Sequence, residues 1–302
     1  AMMAGFNILN GQRLFRFCMI IFLCSFIAIP VSLEYFDEIY PRLVTPIVIF
    51  ILFIPYYKNK NRFIILAVAI VSVAIALGWR ANVLRILLSF PFLLIYYFRR
   101  YIASWFLTLL QVAFFVVPLY FLVQGIKGDS IFAKNSDAEF NITANGEEEN
   151  LAADTRTDLY TEVLSDLYYS RDIWLGRGSN GKYKTNIYDD VRAGTDNERP
   201  NVEVGFLKIL INTGVLGMLL YTLLLGLAAY YGTWKSNNTL TKMLSMFLVS
   251  HWTMLFMENL IEYSMYFYFS WIVVGLCFSK KFRSMTDAQI KTWLRTPHKR
   301  NS

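Results

Sequence analysis

Apolar and polar positions fall into long blocks along this chain. Eight apolar blocks, at 14–33, 43–57, 62–79, 82–98, 103–124, 204–232, 240–257 and 264–279, are separated by short charged connectors and by one long polar segment from Gln124 to Glu203. At 1.5 Å per residue, about 20 apolar residues cross the roughly 30 Å of hydrocarbon in a bilayer, so each block predicts a transmembrane helix. The second block is short, about 22 Å by helical rise, and Tyr40, Tyr56 and Tyr57 can extend it as interfacial anchors. The third and fourth blocks meet at Gly78-Trp79-Arg80-Ala81-Asn82, read as a tight turn at one membrane surface. The first block is too long for the apolar core of a signal peptide and lacks a small-residue cleavage site. The expected fold class is all-α, a polytopic membrane helix bundle of about eight transmembrane helices, with a large extracytoplasmic loop containing an amphipathic helix.

The polar segment has two parts. Residues 127–154 are rich in Asp, Glu, Asn and Ala, including Glu147-Glu148-Glu149, and read as a mobile stretch. From Thr155 the spacing of Leu159, Tyr160, Val163 and Leu167 predicts an amphipathic helix over 155–170, capped by Asp154 or Thr155 and stopping near Arg171. Gly176, Gly178 and Gly181 mark turns, and residues 182–200 read as irregular. The chain therefore divides into five helices over 1–125, the loop over 126–203, three helices over 204–280 and a basic tail over 281–302.

Charge orients the bundle. One set of connectors carries Arg13; Lys58, Lys60 and Arg62; Arg99 and Arg100; Lys235 and Lys242; and Lys280, Lys281 and Arg283. The opposite set carries Glu34, Asp37, Glu38, Arg42, Arg80, Glu258 and Glu262. Lys and Arg favour the cytoplasmic side, so both termini are expected there and the long loop on the extracytoplasmic side. Composition agrees: of 302 residues 56% are hydrophobic and only 17% charged, less charge than a soluble domain carries. The net charge of +7 resides in the connectors and the tail, which reflects topology and not a nucleic-acid partner. The three cysteines, Cys18, Cys24 and Cys277, all fall in apolar blocks, so the loop has no disulfide framework. There is no phosphate-binding loop, HExxH, CxxC or Gly-x-Ser-x-Gly, and two histidines without grouped cysteines do not make a zinc site.

Several side chains stand out. Arg156 opens the loop helix, where a cation opposes the helix dipole; it either binds an anion such as a phosphate or pairs with a neighbouring carboxylate. Arg80, at an outer turn otherwise poor in cations, is either a second phosphate ligand or a snorkelling residue, and Arg85, one turn deeper, reads as snorkelling. At the re-entry into lipid, Asn201, Gly205, Lys208 and Asn212 recur at helical spacing, with Glu203 beside them. The stripe is either a catalytic face, with Glu203 as general base and Lys208 as anion contact, or helix-packing glue. His251, inside the seventh block, is either functional or hydrogen-bonded to a neighbouring helix.

The ordered set resembles the O-antigen ligase and O-antigen polymerase superfamily. Arg80 ends one span; Arg156 in RTDLYTEVLSDLYYSRDIWLGRGSNG opens a loop helix about 20 residues before Gly176-Arg177-Gly178; VEVGFLKILINTGVLG follows, with Gly214 and Gly217. The resemblance covers about residues 62–232 and places Glu203 where ligases usually carry His and Val204 where Asn is usual. It implies glycosyl transfer on the outer membrane face by a protein similar to the polyprenol-dependent, C-type glycosyltransferases. The donor would be an oligosaccharide linked through pyrophosphate to a polyprenol, the acceptor another glycan. Inversion at the anomeric carbon is implied, with no metal or nucleotide cofactor. Arg80 and Arg156 would stabilise the leaving pyrophosphate and Glu203 would serve as base. Arg177, Arg199, Asn201, Lys208, Asn212 and His251 are the substrate-binding candidates. The implied partners are membrane lipids, a chain-length regulator and a flippase. A lipid-linked glycan transporter and a non-catalytic assembly subunit are the readings outside this chemistry.

Overall fold

The computed structural model describes residues 46–75, 80–126, 141–144, 147–150, 155–184, 198–199, 202–261 and 265–295. Its helices are α1 (Ile47–Leu52), α2 (Asn59–Ile75), α3 (Arg80–Tyr97), α4 (Ser104–Ile126), α5 (Thr155–Tyr169), α6 (Gly205–Trp234), α7 (Thr239–Met254), α8 (Met265–Phe278), α9 (Lys280–Ser284) and α10 (Asp287–Arg295). Four short strands, β1 (Asn141–Ala144), β2 (Glu147–Asn150), β3 (Tyr183–Lys184) and β4 (Glu198–Arg199), complete the described elements.

The first apolar block lies outside the described residues, and the described parts of the other seven are mostly helical. By length and composition, α6 is long and apolar enough to cross a membrane; Val83–Tyr97, Ser104–Tyr120 and Tyr266–Phe278 are shorter apolar helices. The second block departs from the expected single helix. It gives the six residues of α1 and then a 3-10 turn over Ile54–Tyr56. Pro55 lacks an amide hydrogen and its ring clashes with the carbonyl four residues back, so the α-helix stops before it.

The chain divides into two compact units. The first comprises Ala1–Val112, Leu223–Met254 and Leu260–Ser302; the second comprises Ala113–Thr222 with Leu255–Asn259. In the first, α7 is the central helix, buried at every position except Lys242 and Thr253. The helices α1, α3 and α8 pack on it. Its N-cap is Asn238, whose Oδ1 accepts from the Thr241 amide at 2.8 Å. Buried polar side chains link neighbouring helices: Gln111 Nε2 donates to Thr233 Oγ1 at 2.7 Å and to Ser245 Oγ at 3.1 Å. A Cβ at Gly232 would sit 2.8 Å from that of Ser245, so the missing side chain permits the close approach.

The basic C-terminal segment, read as a tail, is folded as far as Arg295. Its Asp287 accepts from Tyr56 Oη at 2.7 Å, from the Thr239 amide at 2.8 Å and from Thr239 Oγ1 at 2.7 Å. Ile290 and Leu294, four apart on α10, are buried, and Arg295 Nε donates to the Tyr56 carbonyl at 3.0 Å.

In the second unit α5 forms where the apolar spacing requires it. Leu159, Tyr160, Val163 and Leu167 are all buried. Within the stretch expected to be mobile, β1 and β2 form an antiparallel ladder. In that ladder Asn141 pairs with Asn150 and Ala144 with Glu147. The 182–200 stretch, read as irregular, holds a second antiparallel pair between β3 and β4, with Lys182 and Glu198 3.5 Å apart at the surface.

Candidate functional site

The second unit is built around α5 and the first turns of α6. Tyr160 Oη donates to the Phe256 carbonyl at 2.8 Å, and the rings of Phe206 and Phe256 stack with centroids 4.3 Å apart. The first amides of α6 would lack partners inside the helix. Gly205 N donates to the Glu258 carbonyl at 3.2 Å and Phe206 N to the Leu255 carbonyl at 2.9 Å. Asn259 Nδ2 donates to the Val202 carbonyl at 3.0 Å. These bonds fix the chain where it enters α6, and Glu203, at that entry, is exposed.

Nine residues further on, α6 breaks. Gly214 has φ 65° and ψ −171°, a conformation open only to glycine. A continuous helix would bond Val215 N to Ile211 O and Leu216 N to Asn212 O. Here a segment of the loop is spliced between them. Val215 N donates to Ile173 O at 2.8 Å and Leu216 N to Trp174 O at 3.3 Å. Arg177 N donates to Ile211 O at 2.6 Å and Gly178 N to Asn212 O at 3.0 Å. Four bonds to the loop replace two within the helix. The backbones approach so closely that a Cβ at Gly176 would lie 2.6 Å from the amides of Thr213 and Gly214. A Cβ at Gly214 would meet the Trp174 carbonyl.

Arg177 fastens the spliced segment to the end of α5. Its guanidinium donates to Asp166 Oδ2 at 2.6 Å, Asp172 Oδ2 at 2.8 Å, Ser170 Oγ at 2.7 Å and the Lys182 carbonyl at 2.6 Å. Hydrogen bonds from Arg177 and then Ser170 hold the Asp172 carboxyl below its ordinary range, and the Asp166 hydrogen bond raises Arg177 above its own. Helix α5 itself ends in a left-handed cap. Arg171 has φ 66°, its amide donates to Tyr168 O at 3.2 Å and the Asp172 amide to Leu167 O at 3.1 Å.

The sequence-selected residues are distributed as follows. Glu203, Lys208, Asn212, Arg177 and Arg199 belong to the second unit, and Asn201 lies outside the described residues. Lys208 and Asn212 are four apart on α6 and partly exposed; Asn212 Oδ1 is buried with no hydrogen-bond partner among the described residues. Arg156 is the second residue of α5, in the second unit, and Arg80 is the first residue of α3, in the first unit. His251 is buried in the first unit, its Nδ1 3.2 Å from Tyr266 Oη. Arg85, read as snorkelling, is instead buried over the Tyr266 ring at 5.3 Å, because α8 presents that ring beside it. Sequence reading did not find Asp166 and Asp172 as the partners of Arg177. An i, i+11 pairing across a turn leaves no local pattern.

A family model described as O-antigen ligase matches residues 78–222, just under half of the chain. Over that stretch the match supports the O-antigen ligase and polymerase superfamily, a family of membrane proteins. No curated protein and no solved structure matches the chain.

Proposed function

We propose that this chain polymerises polyprenyl-pyrophosphate-linked oligosaccharide repeats on the outer face of the cytoplasmic membrane, as a bundle of eight spans with both termini cytoplasmic. The observation that carries the reading is the family match, whose limits enclose Arg80, Arg156, Arg177, Glu203, Lys208 and Asn212. An acceptor hydroxyl attacks the anomeric carbon with inversion. The bond from that carbon to pyrophosphate breaks, and the electron pair leaves with the lipid pyrophosphate. Glu203, exposed at the entry to α6, takes the hydroxyl proton. Arg80 and Arg156 offset the charge growing on the leaving group, and no metal or nucleotide takes part. Lys208, Arg199, Asn201 and Asn212 supply contacts to anion and sugar. A ligase that moves finished glycan to another acceptor is the second reading, favoured by the description of the matching family. The carboxylate at the position where ligases usually carry His favours the polymerase. Surface glycan from strains carrying Glu203→Gln or Arg156→Ala separates the two. Loss of long chains with single repeats retained supports a polymerase, and full-length glycan held on the carrier lipid supports a ligase. Normal chain length in both strains removes the catalytic reading.

A further inference from the structure

The exposure of α6 changes at its break. Before Gly214, Phe206, Leu207, Ile209, Leu210 and Ile211 are buried in the second unit. After it, Leu216, Leu219 and Leu220 are 51%, 60% and 59% exposed. A row of exposed leucines on a membrane protein faces lipid. The two parts also differ in composition. Gly205–Thr213 contains Lys208 and Asn212, whereas Val215–Trp234 holds no charge in 20 residues, which at helical rise is about 30 Å, the thickness of the hydrocarbon layer. Beside the break the loop exposes Tyr168 (68%), Tyr169 (82%), Trp174 (68%) and Leu175 (73%). The last two flank the carbonyls that bond Val215 and Leu216, so this apolar surface joins the lipid-facing leucines through the backbone. Tyr and Trp are the side chains that settle at headgroup depth. Asp172 and Arg177, on either side of Trp174 and Leu175, are paired with each other at 2.8 Å, which lowers the cost of holding them close to lipid.

The geometry points to Gly214 as the place where the loop-side membrane surface crosses α6, with Tyr168, Tyr169, Trp174 and Leu175 as a lipid anchor in the interfacial layer. The spanning part of α6 is then Val215–Trp234, not 204–232 as the apolar pattern indicates. Gly205–Thr213 is a helix of the extramembrane body, and Glu203 precedes Gly214 by a stretch whose helical part is about 14 Å long. Irregular backbone at this depth is tolerated because the splice satisfies its polar groups. The inference rests on the membrane character of the family, not on the polymerase reading.

Single cysteines at Thr213, Trp174, Leu175, Leu219 and Leu220, all exposed positions, carry a nitroxide in the full chain with Cys18, Cys24 and Cys277 replaced by alanine. The protein is reconstituted in phosphatidylcholine vesicles. Collision rates with oxygen, which partitions into lipid, and with a water-soluble nickel chelate report depth. Thr213 should be dominated by the chelate, Trp174 and Leu175 should be intermediate, and Leu219 and Leu220 should favour oxygen several-fold. Oxygen dominance at Thr213 places the boundary near residue 204 and overturns the proposal. Chelate dominance at both Trp174 and Leu175, equal to that at Thr213, overturns the lipid anchor. Neither result depends on turnover, so glycan synthesis can fail while the depth profile stands, or the reverse.

Discussion

Gly176 and Gly178 both have positive φ, at 69° and 79°, yet they answer to different constraints. A side chain at Gly178 meets nothing within 4 Å, whereas one at Gly176 strikes the backbone of α6. Gly178→Ala should therefore cost only the conformational preference, about 1 kcal/mol, and Gly176→Ala several-fold more. Thermal unfolding in detergent, read against wild type, checks the contrast; equal losses would mean that the splice is not tight. Arg171 is the opposite case, an L-residue held at φ 66° by the helix cap. Arg171→Gly should stabilise the loop by about 1 kcal/mol. Slower proteolysis between α5 and Gly176 would register it. Asp172 gives a pH dependence of defined sign. Its folded value is depressed by Arg177 and Ser170, so its contribution is complete above the unfolded carboxylate value of about 3.9 and disappears as pH falls through the lower folded value. The clamp should hold through neutral and mildly acidic pH and loosen only in strong acid. Asp172→Asn should flatten that acid limb in a pH titration of loop proteolysis.

The elements differ in how openly the sequence declared them. Amphipathic α5 was legible because Leu159, Tyr160, Val163 and Leu167 needed only a local period, and they bury as that period requires. The β1–β2 ladder is hidden in the sequence because its strands are rich in glutamate and asparagine, residues that strands usually avoid. The break in α6 could not be read from GFLKILINTGVLG. Gly214 is compatible with an unbroken helix until a distant segment arrives to occupy the gap, and that segment is identified by Gly176 only once both are in space. Among the candidate site residues, the spacing of Lys208 and Asn212 carried over directly to α6, whereas the ion pairs of Arg177 depend on a tertiary turn. The folded C-terminal segment was hidden for the same reason. Its basic surface reads as solvated, but Asp287 collects three hydrogen bonds from Tyr56 and Thr239. Asp287→Ala should cost about 2 kcal/mol locally by leaving buried donors without a partner. Amide exchange in 287–295 should then accelerate while that of α7 beyond its first turn stays slow. Unchanged exchange in α10 would show that Ile290 and Leu294 hold it unaided.

At the scale of the whole molecule, the entry into α6 carries Glu203, and the proposed chemistry makes one demand there. The residue must accept a proton at neutral pH. Glutamine keeps the size and polarity of glutamate but cannot take a proton, so Glu203→Gln should lower glycan transfer by about 10²- to 10⁴-fold. Histidine ionises near neutrality, with an ordinary pKa of about 6.5, so it can take the same proton. Glu203→His should therefore recover part of the lost transfer, and the recovered activity should fall as pH drops below about 6.5, where the imidazole is already protonated. The measurement is the rate of lipid-linked repeat consumption by purified protein across that pH range. A purely structural role for Glu203 predicts the reverse order, because glutamine is the closer shape. Transfer by the Gln variant equal to or above that of the His variant would leave the carboxylate without a catalytic part. The base would then have to be sought elsewhere along the 78–222 match.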